Sequence, residues 1–535
     1  EFLIETLGSD YASANILVGN KYFTADREEH MLILVMDTIY NEIAAQLENY
    51  RSTLENELIS STLFRIDSTM SVIDVKTKIL EAYHTDDIEY LLILGNVPVP
   101  YSGNSAIDGH GNHTGAWVAD GFYGDVDGNW TDAFIENTSA SREANHNIPG
   151  DGKFDQILFP STVEIAVGRV DFSNLPKLKE SEIELTRRYL ERNISYRTGE
   201  IKVAKRAIID NNFNLAEGFA QGAIKSFHTF LEPDSISYGD YKQCTSKDYL
   251  FTYGAGGGNY QGASGIINTN SLVTDSIQTI FNSLFGSYFG DWDTQNNLLR
   301  ASLARGSSLV NAWSGRPIWY FHFMSMGKSV GEVLLNTQNN NGNYVSQFGT
   351  RMTHTSLLGD PSLKMYYHSP VINLKVNGNQ LSWELGEDDP EVIGFTVYTK
   401  EADQNWRLFR DEPLFTSSVN LDELSIAGEI KILVRPVALI TSRSGSYYNE
   451  GNGEVINLLL SSTKEISSQF NISPNPAMDY IHIEGSAKIG HVKIHDLNGK
   501  LVQKTYGESN IDISEIPSGV YFIYHNDQVS KFVKI

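Results

Sequence analysis

The stretch from residue 31 to residue 95 constrains the fold most. The run 31–37 (MLILVMD) is continuously apolar up to its closing aspartate, and 88–95 (IEYLLILG) is nearly so, as short buried strands are. A strand with no polar alternate is covered on both faces, the condition of a parallel sheet lined by crossover helices. Residues 42–58 and 72–83 supply such helices, with apolar side chains at helical spacing, and 61–67 reads as another strand between them. This alternation predicts βαβ units and a mostly parallel sheet. Upstream, a short strand is expected at 15–18.

A second alternation starts at 164–169 (EIAVGR). It runs through a helix over 179–193, a strand over 203–210, a helix over 214–228, a strand over 307–313 and a helix over 327–338. Glu184 and Arg188 are spaced to pair on the first of these helices. Two aromatic runs of strand length end in glycine-rich turns, 248–265 (DYLFTYGAGGGNYQGASG) and 280–293 (IFNSLFGSYFGDWD). Ligands of open α/β sheets bind at the carboxyl ends of strands, so these two loops are the expected site.

From residue 370 the helical spacing stops, and short alternating strands over 370–460 predict a small β sandwich. Residues 461–468 read as a polar linker, and 470–535 as a further small β sandwich, with Asn498-Gly499 as a hairpin turn and Ser518-Gly519 as a second. The expected domains are therefore 1–369, 370–460 and 461–535.

The formal net charge is −25, from 66 acidic and 41 basic residues. That balance argues against nucleic acid and anionic membranes as partners, and it suits an extracellular protein that binds divalent cations. A single cysteine, Cys244, excludes an intramolecular disulfide. It reads as an incidental thiol, with a nucleophilic role as the weaker alternative. There is no apolar run of membrane-spanning length and no signal peptide at Glu1, so the expectation is a secreted protein whose leader is already removed.

Several motifs resemble gingipain-type cysteine peptidases, a secreted family with a caspase-like α/β domain followed by an immunoglobulin-like domain. They are the two glycine loops, the turn 95–102 (GNVPVPYS), the Gly168-Arg169 strand end and the ending Leu358-Gly359-Asp360-Pro361-Ser362-Leu363. The resemblance implies a histidine in the first loop and a nucleophilic cysteine in the second. Here Gly254-Ala255-Gly256 stands at the histidine loop and Ser287 at the cysteine position, so both catalytic side chains differ. Ala255 accepts no proton, and a serine needs a base to match a thiolate. Trp383 and 434–437 (VRPV) resemble a fibronectin type III sandwich. The motifs 470–477 (FNISPNPA), 495–500 (HDLNGK) and 516–522 (IPSGVYF) resemble the C-terminal sorting domain of type IX secretion cargo, which implies export to the surface of a Bacteroidota-type bacterium, with the secretion machinery as partner through 461–535.

Two functions follow as expectations. One is a cell-surface pseudopeptidase that binds protein or glycan partners, as an adhesin or structural component. The other is a secreted endopeptidase with a rearranged nucleophile, using Ser287 with backbone N–H groups of Gly254 and Gly256 to 258, and a base recruited from His110, His113, His322 or His354. Trp117, Trp130, Trp292, Trp313 and Trp319 suggest carbohydrate binding as a weaker third. Asp125, Asp127, Asn129 and Asp132, with Asp151 and Asp155, place oxygen ligands on turning backbone in a pattern that suits Ca²⁺. A zinc site from His110, His113 and Asp120 is a lesser alternative. The acidic turn 290–293 (GDWD), with Arg300, Arg316 and Trp319, reads as a rebuilt cleft or as a buried ion pair.

Overall fold

The computed structural model describes residues 2–5, 13–16, 26–213, 219–313, 319–340, 351–386, 389–401, 404–424, 428–460, 471–484, 491–497, 499–506, 509–525 and 528–535. Its chain divides into two compact units, Glu1–Leu458 and Leu459–Ile535. The sandwich after residue 370 is thus part of the first unit. Arg316, the linker 461–468, Phe470 and Asn498 lie outside the described residues.

The first unit is built on a ten-stranded sheet. In chain order the strands are β1 (Glu29–Met36), β2 (Ile59–Ile66), β3 (Tyr90–Leu94), β4 (Ala166–Val170), β5 (Ala207–Asn211), β6 (Ile236–Tyr238), β7 (Tyr249–Ala255), β8 (Thr279–Phe285), β9 (Val310–Trp313) and β10 (Ser356–Gly359). Across the sheet they run β6-β5-β7-β8-β9-β10-β4-β3-β1-β2. Every pair is parallel except β9 with β10, so two parallel halves of opposite direction meet at that seam. All positions of β3, β4, β7, β8, β9 and β10 are buried.

Crossover helices cover the sheet: α1 (Asp37–Glu55), α2 (Val72–Asp86), α3 (Glu182–Arg197), α4 (Gln221–Phe230), α5 (Leu298–Ala304) and α6 (Val330–Gln338). Three begin with a capping box, Ser71 with Asp74, Ser181 with Glu184, and Ser329 with Glu332. Each box satisfies backbone donors that the first turn leaves open. Glu184 therefore turns back onto Ser181, and Arg188 pairs with Glu180 at 2.9 Å instead of with Glu184. The ending 358–363 locks the halves together: the Asp360 carboxylate accepts from Arg197 (2.8 Å) and Tyr50 (2.6 Å), and Arg197 also pairs with Glu57 (2.6 Å). Gly359, with φ +124°, passes so close to β9 that a Cβ there would lie 2.1 Å from the Leu309 carbonyl oxygen.

Two antiparallel sheets follow, one of Val371–Asn377, Gln380–Leu385 and Ser418–Asn420, the other around Val392–Glu401 and Gly428–Ser442. Trp383 is buried edge-on against Phe395. Arg435 is 1% exposed and reaches Glu450 (3.3 Å) and Asp26 (3.1 Å), and Asn452 donates to Glu57 (3.0 Å), so polar contacts tie this layer to the helices.

The second unit has a three-stranded sheet and a four-stranded sheet around Ile481, Ile494, Ile511, Ile523 and Phe532. The Ser518-Gly519 hairpin expectation is corrected here. Asn510–Asp512 pairs with Tyr480–Glu484, whereas Gly519–His525 pairs in the other sheet with His491–Asp496 and Gln528–Lys534. The segment is a corner between sheets, and turn chemistry alone does not distinguish a corner from a hairpin.

Candidate functional site

Strands β7 and β8 are parallel neighbours with Ala255 opposite Phe285, so their carboxyl ends deliver the two glycine loops side by side. The loops touch: a Cβ on Gly258 would lie 2.4 Å from both the nitrogen and the oxygen of Ser287. The third wall comes from the long excursion 95–165 between β3 and β4, which carries His110 and His113.

His110 Nε2 lies 2.8 Å from Ser287 Oγ. The His110 ring is exposed, Ser287 is buried, and among the described residues no carboxylate holds the second ring nitrogen of His110. Tyr288 stacks on both histidine rings, with centroids 4.9 Å away in each case. Its φ of +68° puts a bulky residue in the left-handed region, a strain of roughly 1–3 kcal/mol that surrounding contacts must hold. Asp108 supplies them, accepting from the Tyr288 N–H (2.9 Å), the His110 N–H (3.2 Å) and His113 Nδ1 (2.7 Å).

His113 is the electrostatic centre of the site. Its Nε2 meets Asp291 at 2.8 Å, so the ring lies between two carboxylates whose side chains are 0% exposed. Burial by itself would lower the His113 pKa, but the hydrogen bonds that its ring donates to Asp108 and Asp291, and their charges, raise it to about 9. Burial works against Asp108 as well, and hydrogen bonds from His113, Tyr288 and His110 nonetheless hold its carboxyl below the ordinary range. Arg142 completes the cluster, reaching Asp291 (3.1 Å) and Asp293 (2.7 Å), and Asn145 donates to Asp291 (3.1 Å). The acidic turn is therefore a buried ion-pair network, but with Arg142 as partner. Arg300 pairs its charge with Asp171 at 3.3 Å and reaches the turn through main-chain carbonyls, those of Asp293 (3.3 Å) and Thr294 (2.7 Å).

Other sequence candidates fall elsewhere. Ala255 is wholly buried inside β7, and Gly254 is paired on both sides, to Leu284 and to Asp210. The Gly256 N–H donates to the Phe285 carbonyl at 3.1 Å. Neither glycine therefore stands as a free oxyanion donor. His110, His113 and Asp120 turn to separate partners, Asp120 to Arg169 at 2.7 Å, so the zinc alternative does not assemble. Cys244 is buried, and burial pushes its thiol up to about 12, which leaves no thiolate for attack. Trp117, Trp292, Trp313 and Trp319 are core residues. Of the calcium candidates, Asp125 and Asp127 converge with Glu164, with one ligand atom of each within 4.8 Å of the others. Asn129 is exposed on the same turn. Asp132 accepts from the Gly150 and Gly152 N–H groups, Asp151 from Ile148 and Lys153, and Asp155 from Ala133, Phe134 and Ile135, so these three carboxylates hold turns. Sequence reasoning missed Asp108, Arg142 and Asn145, which lie in a loop-rich stretch where no periodicity marks the inward-facing residues.

A mixed α/β sheet followed by antiparallel sandwiches is the architecture that the gingipain-type resemblance implies. Residues 471–535 match the family described as the secretion system C-terminal sorting domain. That domain directs the chain to secretion and cell-surface attachment. Among solved structures, the chain is similar to dimeric latent PorU from Porphyromonas gingivalis, at 11% identity and a TM-score of 0.26, over 94% of this chain and 64% of that one. This chain thus spans a little under two thirds of the length of that structure. Among curated proteins, none matches it. No helix of the described residues is long and apolar enough to cross a membrane.

Proposed function

We propose that this protein is a cell-surface pseudopeptidase: a gingipain-type domain, with a fibronectin-like layer and a sorting domain, that binds a surface partner instead of cutting one. The observation that carries the reading is the Asp108 carboxylate seated 2.9 Å from the Tyr288 N–H, beside Ser287. Acyl transfer needs free donors where the oxyanion develops, and loss of one such donor costs about 10²–10³ in rate. A carboxylate in that place both consumes a donor and repels the developing charge. Trp117, Trp292, Trp313 and Trp319 are buried and the partly buried Trp130 packs edge-on against Phe122 and Phe154, which favours a protein partner over a glycan.

A second reading, a serine endopeptidase with His110 as base, is favoured by the 2.8 Å contact between His110 and Ser287. One experiment separates the two. A fluorophosphonate probe and a degenerate peptide library are offered to the wild-type protein, Ser287→Ala and His110→Ala. No labelling and no cleavage in any of them is the expected result. Labelling of the wild type that vanishes in both variants overturns the first reading.

Calcium binding by Asp125, Asp127 and Glu164 belongs to the same proposal, although the Lys76 ammonium already takes the Asp125 main-chain carbonyl at 2.7 Å. A rise in Tm with added Ca²⁺ that Asp127→Asn abolishes is expected, and an unchanged Tm removes the cation.

A further inference from the structure

A second cluster lies away from Ser287, where the end of the α/β layer meets the sandwich. His368, Asp389 and Glu391 each offer a ligand atom within 4.8 Å of the other two. His368 Nδ1 lies 2.8 Å from Asp389 Oδ2. All three side chains line one cleft of about 270 Å³, together with Lys202, Lys205 and Tyr366.

The cluster is held in place before any ligand arrives. His368 is 4% exposed, and its backbone is packed so tightly that a Cβ on Gly451 would meet the His368 Cβ and carbonyl oxygen at 3.0 Å. Asp389 and Glu391 sit on one short turn, closed by the Glu391 N–H on Asp389 Oδ1 (3.0 Å) and the Val392 N–H on the Asp389 carbonyl (3.1 Å). Nδ1 is the ring nitrogen that faces the two carboxylates, and among the described residues its one hydrogen bond is to Asp389. The buried Nε2, on the far side of the ring, takes no part in the cluster.

We propose that His368, Asp389 and Glu391 bind a divalent transition metal, with Zn²⁺ as the best fit, which clamps the sandwich to the α/β layer. One imidazole nitrogen with two carboxylates suits zinc with a water in the fourth position, and it is too nitrogen-rich for calcium. The metal takes the place of the proton that His368 and Asp389 share, and that proton leaves to solvent. Lys205, which pairs with Glu391, is the competing cation and gives up its partner.

The test uses the whole chain, stripped with chelator and titrated with Zn²⁺ and with Co²⁺. The expected result is one equivalent bound, a cobalt d–d absorption band typical of nitrogen and carboxylate ligands, and a Tm that rises with zinc. Asp389→Asn and the half-exposed Glu391→Gln should each weaken binding at least tenfold, while circular dichroism stays that of the wild type. Lys205→Ala should tighten it. Binding that is absent, or equally tight in the wild type and Glu391→Gln, overturns the site.

Discussion

Replacing His113 with glutamine is the most direct probe of the cleft. In the native state the imidazolium lies 2.7 Å from Asp108 and 2.8 Å from Asp291, with its side chain 1% exposed. Its pKa is raised from 6.5 to about 9, and at 1.36 kcal/mol per unit this corresponds to about 3 kcal/mol. That agrees with the roughly 3–5 kcal/mol lost when one partner of a buried ion pair is removed. The sign follows from the direction. A raised folded-state pKa stabilises fully below 6.5, and the contribution is lost as pH rises through about 9. The Asp108 pKa is lowered from 3.8, so its share is present above that value and lost on further acidification. The contribution is therefore greatest between pH 3.8 and 6.5. Guanidinium unfolding followed by tryptophan fluorescence measures it, because the Trp117 ring lies 4.1 Å from His113. His113→Gln should cost about 3 kcal/mol near pH 6 and much less near pH 9.5. A cost that does not change between those pH values would refute the reasoning.

Three further outcomes are expected. Asp360→Asn leaves Arg197 and Glu57 without their buried third charge and should cost about 3–5 kcal/mol in equilibrium unfolding. Native Cys244 should resist a thiol reagent until denaturant is added, whereas rapid labelling at neutral pH would contradict its burial. Ser181→Ala removes the cap of α3 and should cost about 1 kcal/mol, with Glu184→Gln smaller, both read by thermal unfolding.

Much of the sheet is legible in the sequence. The runs expected over 31–37 and 88–95 became the adjacent parallel strands Glu29–Met36 and Tyr90–Leu94, and both glycine loops emerged at the ends of β7 and β8. Boundaries blurred where burial does not alternate: the strand expected over 203–210 is Ala207–Asn211, and that over 307–313 is Val310–Trp313. The short α5 was missed because all its residues are buried, so no polar face marked it.

Residue types and local spacing were enough to show that an α/β sheet precedes antiparallel layers, and motif resemblance was enough to mark the tail as a sorting domain. These properties depend on side-chain chemistry at a position or on periodicity along a few residues. Only the tertiary structure decided that Ser287 meets His110, 177 positions away, and that Asp291 is neutralised by His113 and Arg142. Contacts between a strand-end loop and a long irregular excursion leave no period in the sequence, because each depends on how the backbone between them is folded back.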